Sequence, residues 1–290
     1  MPSIRPEVAG FFDQDSFTIS YLVADPATRR CAVIDSVLDF DAASGRTRHA
    51  TADRMIAKIE GDGLAVDWIL ETHVHADHLS AAQFLKSRFG APIGIGAQVD
   101  RVQHNFAKLF NLDSGFVPDG RQFDHLFQDG EPFQIGKVEA RVLATPGHTP
   151  ACVTYVIGDT AFVGDTLFMP DYGTARCDFP GGDAAELYRS IQRIFALPPE
   201  TRIFLCHDYK APGRDEYKWQ TTVAEQRAKN VHIHDGISEE AFVAMRRERD
   251  KTLSMPKLIL PAVQVNMRAG RFPEAEANGI RYLKLPVDAF

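Results

Sequence analysis

Between residues 70 and 79 the chain reads Leu-Glu-Thr-His-Val-His-Ala-Asp-His-Leu, which places His73, His75, Asp77 and His78 within six residues. The flanks say where this cluster sits. Residues 66–70 are mostly apolar and rich in branched and aromatic side chains, as suits a buried strand, while Ala82, Leu85 and Phe89 recur at helical spacing and Gly90 stands where that helix would stop. In extended chain, residues two apart point the same way, so His73 and His75 reach a common point beyond the strand end, and Asp77 and His78 approach it from the turn. Such a cluster is read as a metal site. Imidazole and carboxylate together suit Zn, Fe, Ni or Mn without choosing among them. Ordinary surface histidines are the alternative, but five of the ten histidines of this chain (73, 75, 78, 148 and 207) fall in motifs of this kind.

The chain of 290 residues, 44% apolar, can build a sizeable core as a single domain, with residues of roughly 236–290 expected as a C-terminal extension packed on it. A net charge of −7 argues against nucleic acid or an anionic membrane surface as partner and leaves a small-molecule substrate. The opening residues lack the apolar stretch of an export signal and no later run is long enough to span a bilayer, so a cytoplasmic location is expected. Cys31, Cys152, Cys177 and Cys206 are widely spaced with no CxxC pair, so free thiols are expected rather than disulfides or a thiolate zinc site.

Taken in order, alternation over 17–23 and the apolar run 31–35 predict a β-hairpin, and a helix from Thr51 buries Met55, Ile56 and Ile59 before Gly61 and Gly63. A short strand over 91–95 and a helix over 97–110 follow, then a loop over 116–129. His104 and His125, in the last two segments, are set aside as surface or packing residues. Hairpins are predicted around Gly136-Lys137 and Gly158-Asp159. Asp183 and Glu186 form a capping box ahead of a helix that Pro198-Pro199 ends, and 201–206 is a strand. Residues 219–230 and 238–251 read as helices and 258–260 as an apolar strand. Strands thus deliver His or Asp near positions 73–78, 148, 165 and 207, and in α/β architectures ligands gather at the carboxyl ends of strands.

This order of His73-Val-His75-Ala-Asp77-His78, Thr145-Pro-Gly-His148-Thr, Gly164-Asp165-Thr and Cys206-His207-Asp208 resembles the metallo-β-lactamase superfamily over about residues 15–235. The resemblance implies an α/β fold, the αββα sandwich. Within the superfamily, Glu71 to Ala82, Gly164-Asp165-Thr166-Leu167-Phe168, Gly173-Thr-Ala-Arg176-Cys-Asp-Phe179 and His207-Asp208-Tyr209 are similar to persulfide dioxygenases of the bacterial β-lactamase-like hydrolase type. What that implies is one Fe(II) per chain held by His73, His148 and Asp165, and oxidation of glutathione persulfide by O2 to sulfite with release of glutathione. His75, Asp77, His78 and His207 would then lie around those ligands. The same residues would also suit two Zn ions and hydrolysis of a glutathione thioester in the manner of glyoxalase II, since no ligand of the second site is lost.

On the substrate side, Arg176 matches a family position beside the pocket, where a guanidinium suits a carboxylate; a salt bridge to Asp178 or Asp171 is the structural alternative. Tyr209, Lys210 and Lys218 are further candidates for holding the substrate. Cys177 neighbours Arg176, although a buried inert thiol is the commoner state of a lone cysteine. A sulfurtransferase is a candidate source of persulfide, and a homodimer is the expected assembly.

Overall fold

The computed structural model describes residues 5–112 and 115–289; the expectation about an export signal rests mostly on residues 1–4, outside the described residues. The chain opens with β1 (Glu7–Phe12), β2 (Ile19–Ala24), β3 (Arg30–Ile34), β4 (Val37–Asp41) and β5 (Arg46–Arg48), then α1 (Ala50–Gly61). Next come β6 (Ala65–Leu70), β7 (Leu79–Ser80), α2 (Ala82–Phe89), β8 (Ile93–Gly96), α3 (Val99–Leu109) and β9 (His125–Phe127). The second half runs β10 (Pro132–Ile135), β11 (Val138–Ala144), β12 (Val153–Ile157), β13 (Thr160–Phe162), a 3-10 turn at Gly164–Thr166 and α4 (Ala184–Phe195). It ends with β14 (Arg202–Phe204), β15 (Gln220–Thr222), α5 (Val223–Lys229), α6 (Glu239–Asp250) and α7 (Ile259–Asn266).

Two six-stranded sheets, ordered β1-β2-β3-β6-β8-β9 and β10-β11-β12-β13-β14-β15, face each other, and a small sheet β5-β4-β7 flanks them. Period-two alternation divides the side chains between layers. Ile19, Tyr21 and Val23 of β2 meet Val138, Ala140 and Val142 of β11 and Tyr155 of β12 between the sheets. Leu22 and Val33 point the other way, to a core shared with α1, α2, α3 and α7, while Val156, Ala161 and Ile203 pack on α4 and α6. This is the αββα sandwich. Strand β2 is buried on both faces, which its continuous run of apolar and small residues permits.

The predicted hairpins form, as β2 with β3, β10 with β11 and β12 with β13. The four cysteines are free and buried. Asp183 accepts the N–H of Glu186 at 2.8 Å and starts α4, as the capping box predicts. No helix among the described residues is long and apolar enough to cross a membrane.

Strands β1, β4, β5 and β7 are not among the elements that the sequence predicts, and three segments that it does assign come out differently. Residues 220–222 extend as an edge strand on β14, and α5 begins only at Val223, where Thr222 caps the N–H of Glu225. Pairing with the sheet here overrides helical propensity. The apolar run expected as a strand at 258–260 opens α7 instead. A short all-apolar segment cannot be told from a buried helix by periodicity, and Pro261 falls in the first turn, where a missing N–H costs nothing. The loop over 116–129 contains β9, three residues that add a parallel edge to β8.

Candidate metal centre

Sequence and fold converge at the strand ends. β6 stops at Leu70 and the loop it feeds carries His73, His75, Asp77 and His78; β11, β13 and β14 lead to His148, Asp165 and His207. Glycines let two of these turns form. Gly147, at φ +138°, lies so close to α4 that a Cβ would stand 2.4 Å from the backbone of Leu187, and one on Gly164, at φ +52°, would stand 2.6 Å from Thr72 Oγ1. All the predicted metal-site residues therefore meet, and His73, His75, His78, His148, Asp165 and His207 are buried.

His73, His148 and Asp165 form one set whose ligand atoms all lie within 4.8 Å of one another. Asp165 Oδ2 is 3.9 Å from His73 Nε2 and 3.7 Å from His148 Nε2. Each ring is oriented through its other nitrogen. Thr72 spends its hydroxyl proton on Asp35 Oδ2 (2.8 Å), so its oxygen accepts from His73 Nδ1 at 3.0 Å. His148 Nδ1 donates to the carbonyl of Arg176 at 2.7 Å. Both Nε2 lone pairs are left facing Asp165, the arrangement that fixes a histidine ligand. Burial, together with neighbouring His75 and His148, pushes His73 well below its ordinary pKa, which keeps the imidazole neutral.

The second set is built differently. His75 Nε2 lies 3.0 Å from Asp35 Oδ1 and 3.3 Å from Glu71 Oε2. Burial works against its charge, but Asp35 and Glu71 more than offset that and hold His75 well above its ordinary pKa. Asp77 Oδ2 accepts from Thr18 Oγ1 (3.0 Å) and lies 2.9 Å from His78 Nδ1. Burial opposes the charge of Asp77 too, yet His207 and His78 bring its carboxyl well below the usual range. His207 Nε2 stands 3.3 Å from Asp165 Oδ1 and 3.6 Å from Asp77 Oδ2.

Four buried atoms of this centre, His75 Nδ1, His78 Nε2, His207 Nε2 and Asp165 Oδ1, have no hydrogen-bond partner among the described residues. Buried polar atoms left bare are costly, and a divalent cation is the partner such a donor set lacks. First-row ions sit about 2.0–2.2 Å from nitrogen and oxygen ligands, which separations of 3.3–3.9 Å between ligand atoms accommodate. The residues fit a metal.

The centre opens into a cavity of about 1040 Å³, walled by residues 13–17, by β4, by the segment 165–179 and by 246–258. Arg176 and Tyr209 line it; Lys210 and Lys218 do not. Lys210 instead stacks its ammonium 4.3 Å from the centre of the Tyr217 ring, and Lys218 is exposed, its backbone N–H bound to Asp208. Within the same loop, buried Asp208 pairs with Arg214. Arg176 is engaged by Asp178 through two hydrogen bonds and by the carbonyl of Ser254, while Asp171 pairs with Arg214. Cys177 is buried, and burial with the nearby Asp250 carboxylate pushes its thiol well up, so it is no ready nucleophile.

Sequence reasoning gave no role to Thr18, Asp35, Arg246 or Asn266. Asp35 carried a usable signal, since it ends β3 as Asp165 ends its strand; the other three are single polar residues in unremarkable surroundings.

A two-sheet sandwich with five histidines and two aspartates at one edge defines a class, and the profile of the metallo-β-lactamase superfamily matches residues 15–207. The chain belongs to that superfamily. Among its relatives is a Burkholderia pseudomallei protein named "Probable metallo-hydrolase", 58% identical over 97% of this chain and 99% of its own length. Glyoxylase B2 of Dictyostelium discoideum is 47% identical (99% and 98% covered), and the human mitochondrial persulfide dioxygenase ETHE1 is 32% identical (89% and 87%). The chain spans 65% of the length of a Xylella fastidiosa "Beta-lactamase hydrolase-like protein" to which it is 56% identical. The crystal structure of ETHE1 from Myxococcus xanthus superposes with a TM-score of 0.72, at 32% identity, over 91% of this chain and all of that one.

Proposed function

We propose that the protein is an iron-dependent persulfide dioxygenase acting on glutathione persulfide. The observation that carries this is the set His73, His148 and Asp165: two imidazoles, each oriented through its Nδ1, and one carboxylate, at the floor of an open cavity. A 2-His-1-carboxylate face leaves coordination positions free, and an Fe(II) held there supplies a place where persulfide sulfur and O2 meet. The overall change is RSSH + O2 + H2O → RSH + sulfite + 2 H⁺. Within it the chain's residues orient and shelter. Thr72 and the Arg176 carbonyl hold the two rings, Phe168, Phe179 and Tyr209 line an aromatic wall, and Arg176 stands where a substrate carboxylate can exchange for Asp178. The resemblance to the persulfide dioxygenases over nearly nine tenths of the chain supports the same reading. A sulfurtransferase would be the natural donor of the persulfide.

A second reading, a binuclear zinc thioester hydrolase, is favoured by bare His207 Nε2 lying 3.3 Å from the bare Asp165 Oδ1, and by the likeness to Glyoxylase B2. The test is paired. Protein purified without added metal is analysed by plasma mass spectrometry and assayed in an oxygen electrode with glutathione persulfide. About one iron per chain with O2 uptake is expected. Two zinc ions per chain, no O2 uptake and rapid hydrolysis of a glutathione thioester would reverse the order.

A further inference from the structure

The metal loop between β6 and β7 is irregular, so its backbone groups need partners from outside secondary structure. The carbonyls of His75 and His78 find theirs far along the chain. Asn266, the last residue of α7 and 4% exposed, donates through Nδ2 to His75 O at 2.9 Å and to His78 O at 2.7 Å, and accepts the Ser80 N–H on Oδ1 at 2.8 Å. Among the described residues these two carbonyls accept no other hydrogen bond. The requirement is one acceptor and two donors from a single short side chain, which only a primary amide offers.

The helix that presents Asn266 is itself fixed. Ile259, Ala262, Val263 and Val265 are buried in the core beneath the first sheet, and buried Gln103 of α3 donates to the carbonyl of Met267 at 2.8 Å. Rigid support on one side and an irregular ligand loop on the other make the amide a clamp, not a bystander. It holds the loop at both histidines that follow His73, 188 and 191 positions away in sequence.

We infer that Asn266 is a positioning residue of the metal centre, so that the C-terminal helix α7 is part of the apparatus that retains the metal. The inference is independent of whether iron or zinc is bound and of the reaction catalysed. Residues that orient a metal loop without touching the ion typically change metal retention by about 10–100-fold when replaced.

The closest test is Asn266→Asp, which keeps size and the acceptor for Ser80 but removes both donors. Metal-loaded parent and variant are challenged with EDTA, and bound metal is followed by plasma mass spectrometry. Metal should leave the variant about tenfold faster or more. Melting temperatures of the loaded and metal-free forms supply a readout that general damage does not mimic: a lost clamp narrows the gap between them, whereas a purely structural defect lowers both alike. A folded variant with EDTA release within about twofold of the parent and an unchanged gap would overturn the inference. Should the variant not fold, the parent protein decides by hydrogen exchange with and without metal. By reciprocity, metal removal should speed exchange in α7 as well as in residues 71–80, and protection in α7 indifferent to metal overturns the clamp.

Discussion

The two halves of the metal centre share an aspartate and differ in how their remaining ligands are engaged. In the first, His73 and His148 are each anchored through Nδ1 to a neutral oxygen, from Thr72 and from the Arg176 backbone, leaving Nε2 free. In the second, the protein already uses part of what it offers: His75 Nε2 is turned to Asp35 and Glu71, and Asp77 Oδ2 to Thr18 and His78. Identical residue types within one short loop therefore do different work. What separates them is the residue behind each ring, which the metal-binding motif does not contain.

The largest expected effect breaks that comparison directly. His73→Ala should abolish metal binding and turnover together, whereas His207→Ala should retain the metal and lose no more than about 10–100-fold in rate. Metal content by plasma mass spectrometry decides, and loss of all metal from His207→Ala would show the second half to be an essential binding site.

Next in size is the support behind His148. The segment 173–178 that offers the Arg176 carbonyl is held by a fully buried Arg246, which donates to the carbonyl of Thr174 at 3.0 Å and pairs with Asp250, itself the acceptor for the Cys177 N–H. Arg246→Ala leaves a buried carboxylate unpaired and should cost about 3–5 kcal/mol of unfolding free energy, read from urea denaturation. A cost below about 1 kcal/mol would mean the segment stands without α6.

Much of this centre was legible in the sequence because its candidate ligands sit in contiguous motifs at strand ends, two of them announced by a glycine. His148 and Asp165 each follow such a glycine. Most of the orienting groups were not legible, for a physical reason. Asp35 had its place at the end of β3 to mark it, but Thr18 and Asn266, from β2's approach and the end of α7, become partners only when the sandwich closes, and nothing local marks them. The same holds for β15 and β9, short edges whose existence depends on a neighbour strand, and for α7, whose apolar run fits a strand as well as a buried helix. In the substrate candidates, residue type pointed to Lys210 and Lys218, but Lys210 lies on the Tyr217 ring and Lys218 is held by its backbone N–H to Asp208, contacts that depend on the fold of the loop and not on residue type.

Arg176 sharpens the comparison further, since its backbone orients the candidate ligand His148 and its side chain lines the cavity. Arg176→Ala should raise KM for glutathione persulfide about tenfold, near 1.4 kcal/mol, with metal content unchanged, because the carbonyl that orients His148 remains. Metal loss in this variant would make the guanidinium's bonds to Asp178 and Ser254 structural. On the other half, Thr18→Val removes the hydroxyl that bonds Asp77 and should cost about 1–2 kcal/mol in stability, measured by urea denaturation, without releasing metal.

The smallest expected effect is a pH dependence that reaches the first half through the segment behind His148. His232 accepts the N–H of Thr174 at 3.0 Å on Nδ1, which requires that nitrogen to be unprotonated. Burial first, then the guanidinium groups of Arg246 and Arg249, lower its pKa from 6.5 to about 4. Between those values the unfolded chain takes up a proton that the folded protein refuses, so this group's contribution is full above pH 6.5 and is lost as pH falls toward 4. His232 is partly solvent-screened, so the loss at pH 5 should be no more than about 1 kcal/mol. His232→Asn, which can still accept from Thr174, should remove this share of the acid sensitivity. The measurement is the difference in urea midpoints at pH 7 and pH 5 for parent and variant, which cancels the carboxylates common to both. Equal differences in the two proteins would mean that His232 takes up its proton in the folded state as readily as in the unfolded chain, and that the Thr174 contact does not depend on its neutrality.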